Sequence, residues 1–209
     1  TFTQATFNYT NASDGSIDLT GNQTITYTGL EPITADITAA TVTLNYSPAA
    51  EIITVSSGGA GKTTVASTAG ETTTFTNPTT ALNINAGNAG NDTVHVEGLG
   101  AGFAADLTID GQTGGDSVIF QNAPTDLGGG TLVVRAEIIT VNAAVSTSGT
   151  GTITLNAGDD LNVNAQVTTV TGALVLTAVD DITAIGTGDL LTTSGTVTLT
   201  AGGMINYAG

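Results

Sequence analysis

The chain has 209 residues, of which 40% are hydrophobic, 4% are aromatic and none is cysteine. Its formal net charge is −16, with Lys62 and Arg135 as the two fixed cations, which argues against binding to nucleic acid or to an anionic membrane surface. No apolar run is long enough for a membrane-spanning helix, so membrane insertion is not expected, and without cysteine no disulfide contributes to stability.

The amino-terminal part already shows the alternation of apolar and polar residues that is typical of strands. Residues 1–14 are rich in Thr and Asn, and we interpret them as an irregular start or a cap. From Gly15 onward the alternation predicts two short strands, with inward residues Ile17, Leu19, Ile25 and Tyr27. The same pattern returns at residues 41–44, with Val42 and Leu44 inward.

The middle of the chain contains a perfect repeat and a segment of different composition. The hexapeptide AEIITV at residues 50–55 recurs letter for letter at residues 136–141, which indicates that both halves of the chain have the same fold. Residues 56–80 are rich in Ser, Gly, Ala and Thr. We interpret this segment as an insertion or a degenerate coil, with Val65 and Phe75 inward.

The carboxy-terminal part repeats one phrase four times. GTLVV begins at Gly130, GTITL at Gly151, GALVL at Gly172 and GTVTL at Gly195, at spacings of 21, 21 and 23 residues. Regular repetition in this range is typical of solenoids. Alignment of the units predicts five inward columns: Leu132, Ile153, Leu174 and Val197; Val134, Leu155, Leu176 and Leu199; Ile139, Leu161, Ile182 and Ile205; Val141, Val163, Ala184 and Tyr207; Val145, Val167 and either Leu190 or Leu191.

These columns predict the fold. Each column would stack aliphatic side chains at the spacing of about 4.8 Å between strands and so form a thin, continuous core. We expect an all-β protein in which residues 1–209 form one continuous parallel β-helix, or solenoid, of about eight to nine right-handed coils with about 21–25 residues each. Both ends carry coil-like sequence, so we expect further coils, from the same chain or from a second copy, to join there.

Acidic residues recur at one position of the repeat. An acid stands two residues before the first inward residue of the second strand in six units: Glu51, Asp92, Asp116, Glu137, Asp159 and Asp180. Asp favours corners because its side chain accepts hydrogen bonds from nearby backbone groups, which is one explanation of the pattern. Stacked like charges also repel each other, and a hard cation with oxygen ligands would relieve that repulsion.

Two corners support the explanation that the acids bind a cation, because their sequences resemble a calcium-binding motif. Residues 87–95 (GNAGNDTVH) resemble the glycine- and aspartate-rich nonapeptide of calcium-binding β-rolls, and residues 111–119 (GQTGGDSVI) match it more loosely. That family repeats its motif every nine residues, whereas these copies lie 24 residues apart and both lack the second glycine. The sequence therefore predicts no cofactor if the acids only shape the corners, and Ca²⁺ as the alternative, with candidate ligands Asp92, Asp116, Asp159, Asp160, Asp180 and Asp181.

The sequence offers few groups for catalysis. His95 is the only histidine, and because it alternates with Val94 and Val96 we expect its side chain to point outward. β-Helix enzymes that act on acidic polysaccharides use carboxylates, Ca²⁺ and basic groups, and this chain has only two basic residues. We therefore predict that the protein is not an enzyme, with glycoside hydrolysis by paired carboxylates as an alternative.

Ice binding is another alternative, because flat ladders of Thr occur on ice-binding β-helices. Thr pairs stand at residues 24/26, 41/43, 152/154 and 196/198. The equivalent outward pairs in other units are Ala81/Asn83, Asp106/Thr108, Thr131/Val133 and Ala173/Val175. An ice-binding face should be uninterrupted, and this one is not.

Over about 190 residues, the GTITL-type phrases and coils such as NAGDDLNVNA (residues 156–165) resemble repetitive bacterial surface proteins. The similar families are the haemagglutinin-repeat, two-partner-secretion and autotransporter-passenger classes. The resemblance implies an extracellular location at the bacterial cell surface, a structural or adhesive role, and no cofactor beyond Ca²⁺. For such a role the expected partners are a host or glycan surface, and further coils that join the ends of the chain, which would build a filament or layer. A carbohydrate-binding or polysaccharide-degrading β-helix is the main alternative.

Overall fold

The computed structural model describes residues 1–208, and in it the chain is an all-β parallel solenoid of about six turns. Short runs of alternating aliphatic and Thr or Asn residues form the strands, because such runs bury one face and expose the other. Within residues 1–208 there is no helix with the length and apolar character needed to cross a membrane.

Residues 1–208 form 24 strands. The first twelve are β1 (Phe2–Tyr9), β2 (Asp14–Leu19), β3 (Ile25–Thr28), β4 (Ile33–Ala35), β5 (Ala39–Asn45), β6 (Ile52–Ser57), β7 (Lys62–Ser67), β8 (Thr73–Thr76), β9 (Ala81–Asn85), β10 (Thr93–Glu97), β11 (Asp106–Asp110) and β12 (Ser117–Phe120). The others are β13 (Thr125–Asp126), β14 (Leu132–Ala136), β15 (Ile138–Val141), β16 (Val145–Ser146), β17 (Ile153–Ala157), β18 (Leu161–Val163), β19 (Val167–Thr169), β20 (Leu174–Ala178), β21 (Ile182–Ile185), β22 (Leu190–Thr192), β23 (Val197–Ala201) and β24 (Ile205–Ala208).

Three sheets run along the solenoid. The first has the strand order β23-β20-β17-β14-β11-β9-β5-β1-β2-β3, and the second has the order β24-β21-β18-β15-β12-β10-β6-β7-β8-β4. The third sheet, β13-β16-β19-β22, closes only the carboxy-terminal turns. Each of those turns therefore contributes one strand to each sheet, and the core lies between the three.

The predicted columns are confirmed by the strand register. In the first column each residue pairs with its counterpart in the next turn: Leu132 with Ile153, Ile153 with Leu174, and Leu174 with Val197. The residues of the other predicted columns pair from turn to turn in the same way. In the fifth column the stacked residue is Leu190, which is buried, whereas Leu191 is exposed. All these columns are buried except at the last turn, where Val197, Ile205 and Tyr207 are exposed.

The prediction of eight to nine coils was too high, because the amino-terminal end is not parallel throughout. β1 pairs in parallel with β5, but β2 is antiparallel to β1 and β3 is antiparallel to β2. The prediction of Ile25 and Tyr27 as second-strand residues was therefore wrong: they lie in the first sheet, opposite Ile17 and Gly15. Alternation has the same period of two in parallel and antiparallel strands, so the pattern did not distinguish them.

The second sheet contains a similar excursion within residues 56–80. β7 runs antiparallel to β6, β8 runs antiparallel to β7, and β8 pairs in parallel with β4. Val65 and Phe75 are buried in the core. We call β2, β3, β4, β7 and β8 the amino-terminal cap, because they cover the core of the first parallel turn.

Candidate functional site

The six acids predicted from the repeat lie one above another at the corner that leads into the second sheet. We call this set the acidic column (Glu51, Asp92, Asp116, Glu137, Asp159 and Asp180). The arrangement follows from register, since each acid stands two residues before one of the stacked residues Ile53, Val94, Val118, Ile139, Leu161 and Ile182.

The amino-terminal half of the column is buried and binds backbone groups. Asp92 and Asp116 are each 1% exposed. Asp92 Oδ1 accepts the N–H of Glu51 at 2.7 Å, Asp116 Oδ1 accepts the N–H of Asp92 at 2.8 Å, and Glu137 Oε2 accepts the N–H of Asp116 at 2.7 Å. Each carboxylate thus satisfies a backbone donor of the turn before it, which is the corner role that the sequence indicated.

The second oxygens of Asp92 and Asp116 have a different environment. Both Oδ2 atoms are buried and have no hydrogen-bond partner. The pKa of Asp92 is raised to about 6, mainly by burial and also by the charges of Asp116 and Glu51, while the N–H donated by Glu51 opposes the rise. Burial also raises the pKa of Asp116, with the charges of Glu137 and Asp110 adding to the effect. These two carboxyl groups therefore hold protons more readily than ordinary aspartates.

The carboxy-terminal half of the column is at the surface. Asp159 and Asp180 are exposed, and Asp160 is half-buried. One carboxylate oxygen of each of these three residues lies within 4.8 Å of the others, which is close enough for a single cation to contact all three. The nearby charge of Asp181 is the main cause of the raised pKa of Asp180, followed by burial and the charges of Asp160 and Asp159.

Asp160 and Asp181, the residues next to the exposed acids Asp159 and Asp180, make hydrogen bonds in the opposite direction along the solenoid. Asp160 Oδ1 accepts the N–H of Asp181 at 3.2 Å, and Asp181 Oδ1 accepts the N–H of Met204 at 2.6 Å. These carboxylates therefore bind the turn that follows them. The six candidate metal ligands thus form two separate groups: Asp92 with Asp116, and Asp159, Asp160 and Asp180 with Asp181. Binding of Ca²⁺ at either group stays a prediction.

One chemically unusual residue was missed by the sequence analysis. Glu71 has no exposed surface, and neither carboxylate oxygen has a hydrogen-bond partner among residues 1–208. The signal was present in the sequence, because counting back in steps of two from the inward residue Phe75 passes through Thr73 to Glu71.

The outer faces of the two long sheets carry the remaining predicted groups. His95 alternates with buried Val94 and Val96 on β10 and is half-buried, with Nδ1 buried and unpartnered. On the first sheet, the outward Thr pairs of β5, β17 and β23 fall in register with the interrupting pairs of β9, β11, β14 and β20. The Thr24/Thr26 pair lies at the start of β3, in the cap.

A scan against protein-family models finds no match, and neither does a search of curated proteins or of solved structures. The fold and the acidic column therefore define only a structural class of protein, which is a parallel β-solenoid with acids stacked at one corner and an antiparallel cap at one end.

Proposed function

We propose that this chain is a non-enzymatic structural or adhesive module of the bacterial cell surface, and that its open end stacks against a further β-coil. One observation carries the proposal: the two ends of the solenoid differ. The amino-terminal end is covered by the cap, whereas the other end presents core positions to solvent.

The open end consists of the last strand of each sheet, β22, β23 and β24. Its residues Val197, Ile205 and Tyr207 occupy columns that are buried in every earlier turn, yet they are 42%, 45% and 48% exposed. Burying one such large apolar side chain contributes about 1.5–3 kcal/mol. The three edges also leave unpaired backbone groups, which favour the addition of another strand.

The cap changes the edges at the amino-terminal end. There the edge strands of the two long sheets are β3 and β4, which run in the same direction as the solenoid strands because each follows two antiparallel pairings. Pro32 immediately precedes β4, and proline at an edge disfavours the addition of a further strand. We therefore place association at the open end, either with later coils of a longer chain or with the open end of a second copy.

Export and an adhesive role rest on the resemblance to repetitive bacterial surface proteins described above. The thin aliphatic core is consistent with that role, because it repeats turn by turn and can be lengthened without a new fold. The negative charge of the chain keeps such a rod soluble outside the cell.

The proposal is tested by sedimentation velocity and negative-stain electron microscopy of the purified chain at moderate ionic strength. The open edge is the same whichever chain supplies the partner, so we expect the isolated protein to form dimers joined at their open ends. The variant V197D/I205D places two charges on that surface and should be monomeric.

The matched control is I25D, which places a charge on an equally exposed residue of the cap. It should self-associate like the wild type. A wild-type protein that stays monomeric at all concentrations, or an I25D variant that dissociates as fully as V197D/I205D, would contradict stacking through the open end.

Carbohydrate binding is a second candidate, favoured by an open cavity of about 310 Å³ at the corner between the two long sheets. Its lining includes Asp110, Arg135, Glu137 and Asn156, which supply hydrogen-bonding groups of both charges. Arg135 lies 3.8 Å from Asp110. Specific retention of the monomer by a glycan panel, lost in the R135A variant, would favour this role.

A further inference from the structure

The amino-terminal cap contains a buried acid that the protein leaves without a partner. Glu71 has no exposed surface and faces the core, because it alternates with the buried residues Thr73 and Phe75. Neither of its carboxylate oxygens has a hydrogen-bond partner among residues 1–208. An ionised carboxylate in such a place is strongly unfavourable, so the closed cap favours the neutral, protonated form.

Glu51, which is also buried, shows how this protein satisfies a carboxylate when it uses its own donors. Glu51 Oε1 accepts the Ser47 N–H at 3.2 Å and the Ser47 hydroxyl at 2.6 Å, and Oε2 accepts the Ser67 hydroxyl. In the described part of the chain, no equivalent donors reach Glu71. The difference sets Glu71 apart from the acids that shape the corners.

Contacts on both sides of Glu71 place it beside a pair of stacked tyrosines. Tyr9 and Tyr46 have ring centroids 4.7 Å apart. Before Glu71 in the chain, a Cβ added at Gly70 would lie 2.9 Å from Tyr46 Cε1. After Glu71, the Thr73 hydroxyl is hydrogen-bonded to the Tyr9 hydroxyl at 2.7 Å. Glu71 therefore stands between two contacts that hold its segment of the cap against the aromatic pair.

The titratable groups on the elements around Glu71 are acids and tyrosines. They are Tyr9 of β1, Asp14 of β2, Tyr27 of β3, Glu31 before β4, Tyr46 after β5 and Glu51 before β6. The parallel register of β4 and β8 puts Glu31 and Glu71 at equivalent positions, two residues before the first paired residues of the two strands. The pKa of Glu71 is raised above its ordinary value of 4.5, mainly by burial and also by the charges of Glu31 and Asp14.

The cationic groups of the described chain lie elsewhere. Lys62 pairs with Thr76, at the far end of β8, and binds Asp36. Arg135 lies beside Asp110, His95 is on the outer face of β10, and the amino group of Thr1 is at the other end of β1 from Tyr9. A proton is therefore the means of neutralising Glu71 that this arrangement provides.

A cavity of about 380 Å³ lies next to the segment that carries Glu71. Gly70 and Thr72, the residues on either side of Glu71, line it, whereas the buried Glu71 side chain is not part of the lining. Water in the cavity can therefore hydrate the Glu71 carboxylate only when the segment moves. Ionisation of Glu71 favours that movement, because it replaces a neutral group in the core by a charge that requires hydration.

We propose that the amino-terminal cap is a pH-sensitive switch, which closes over the solenoid when Glu71 carries a proton and opens when that proton passes to water. The moving part comprises the segment around Glu71, the strands β7 and β8 that it joins, and β4, which pairs only with β8. The proposal goes beyond the structural role above and does not depend on it.

The direction of the pH dependence follows from the raised pKa of Glu71. The contribution of this group to closure is fully present below its ordinary pKa of 4.5 and is lost as the pH rises through its raised pKa in the closed cap. Within that window the ratio of open to closed caps should rise about tenfold per pH unit. The switch thus keeps the cap closed in acidic surroundings and loosens it as the surroundings become less acidic.

Amide hydrogen exchange followed by mass spectrometry tests the switch, because it reports the opening of individual segments. The wild type and E71Q are compared at equal pH, from about 4 to 8, so that the chemical exchange rate cancels. The ratio of wild-type to E71Q exchange rates in residues 62–76, which contain β7 and β8, should rise at least about tenfold over this range. Residues 153–163, in a later turn, are the reference and should show a constant ratio.

The matched control is D189N, which removes one acid near the open end. In residues 62–76 it should exchange like the wild type at every pH. Circular dichroism establishes that E71Q and D189N are folded.

A second measurement needs no variant. The chain has five glutamates, and labelling their carboxyl carbons with carbon-13 allows each to be titrated by nuclear magnetic resonance in the wild type. At least one glutamate resonance should titrate about one pH unit or more above 4.5, and its absence from E71Q assigns it to Glu71. If E71Q does not fold, this titration decides the question by itself.

Three results would overturn the proposal: a ratio of exchange rates in residues 62–76 that does not change with pH, a D189N variant that loses the pH dependence as E71Q does, or glutamate resonances that all titrate near 4.5. Equal acceleration of residues 153–163 would also contradict it, because the whole solenoid and not the cap would then respond to pH.

Discussion

At the scale of single residues, the glycines that open the repeated phrases are required by the close approach of successive turns. A Cβ added at Gly172 would lie 1.8 Å from the carbonyl oxygen of Gly151. A Cβ at Gly195 would lie 2.0 Å from the oxygen of Gly172, and one at Gly151 would lie 2.4 Å from that of Gly130. The glycine that begins each of these phrases is therefore required by the close packing of successive turns.

The substitution G172A should destabilise the protein by at least about 2 kcal/mol, because backbone atoms of two turns would have to separate. G129A is the matched control, since a Cβ at Gly129 meets no heavy atom within 4 Å, and it should change stability by less than about 0.5 kcal/mol. Urea unfolding of both variants measures the difference. Equal stabilities would show that the turns can move apart freely.

Asp92 should make stability depend on pH in the acidic range. Its pKa rises from 3.8 to about 6 on folding, so the protonated form is favoured in the folded state. The contribution of this group is fully present below its unfolded pKa and is lost as the pH rises through its folded pKa. The melting temperature of the wild type relative to D92N should therefore fall as the pH rises from about 4 to 7. A pH-independent difference between the two proteins would contradict the buried, proton-holding state of Asp92.

At the scale of elements, each strand of the two long sheets from β9 to β21 contributes two or three buried side chains to columns that hold neighbouring turns together. Leu155 of β17 stacks between Val134 and Leu176 and is fully buried. L155D should cost about 4 kcal/mol or more, because a charge would enter the core without a partner. T154D, one residue away on the outer face, should cost less than about 1 kcal/mol. Thermal unfolding followed by circular dichroism compares them.

The corners before β18 and β21 bring Asp159, Asp160 and Asp180 together at the surface. If they bind Ca²⁺, the folded state gains about 2.7 kcal/mol at a free concentration 100 times the Kd. D159N/D160N/D180N should then show a smaller rise in melting temperature between chelator and millimolar Ca²⁺ than the wild type. In chelator the variant should melt at a higher temperature, because three like charges no longer repel. If the melting temperature of the variant rises as much as that of the wild type, these acids do not bind Ca²⁺. Hydrogen bonding at the corners would then be the remaining explanation of their positions.

At the scale of the whole molecule, the net charge of −16 opposes compaction. Raising NaCl from about 0.01 M to 0.15 M shortens the screening length from about 30 Å to 8 Å and should raise the melting temperature by several degrees. The same experiment at pH 4, where many carboxylates are protonated, is the control and should show a smaller rise. A melting temperature unaffected by salt at neutral pH would mean that bound cations already neutralise the chain.

The sequence alone was sufficient to predict the parallel solenoid and its columns. Successive turns place equivalent residues one above another, so a repeat of about 21 residues records the register directly. The columns headed by Leu132 and Ile139 could therefore be read without coordinates, and so could the stacking of the acids. The same reasoning overestimated the number of turns, because the segments that form β2, β3, β7 and β8 alternate like any other strand.

The tertiary structure decided which end is covered and which acids are buried. Strand direction depends on pairing partners that are distant in sequence, so alternation could not reveal the antiparallel cap. The acids share one position in the repeat, but residues 86–92 and 111–116 form long corners that enclose Asp92 and Asp116. Residues 158–160 and 179–181 form short corners that leave Asp159 and Asp180 in solvent. Burial, and with it the pKa of each carboxyl group, follows from how the corner folds over the side chain, which spacing alone does not specify.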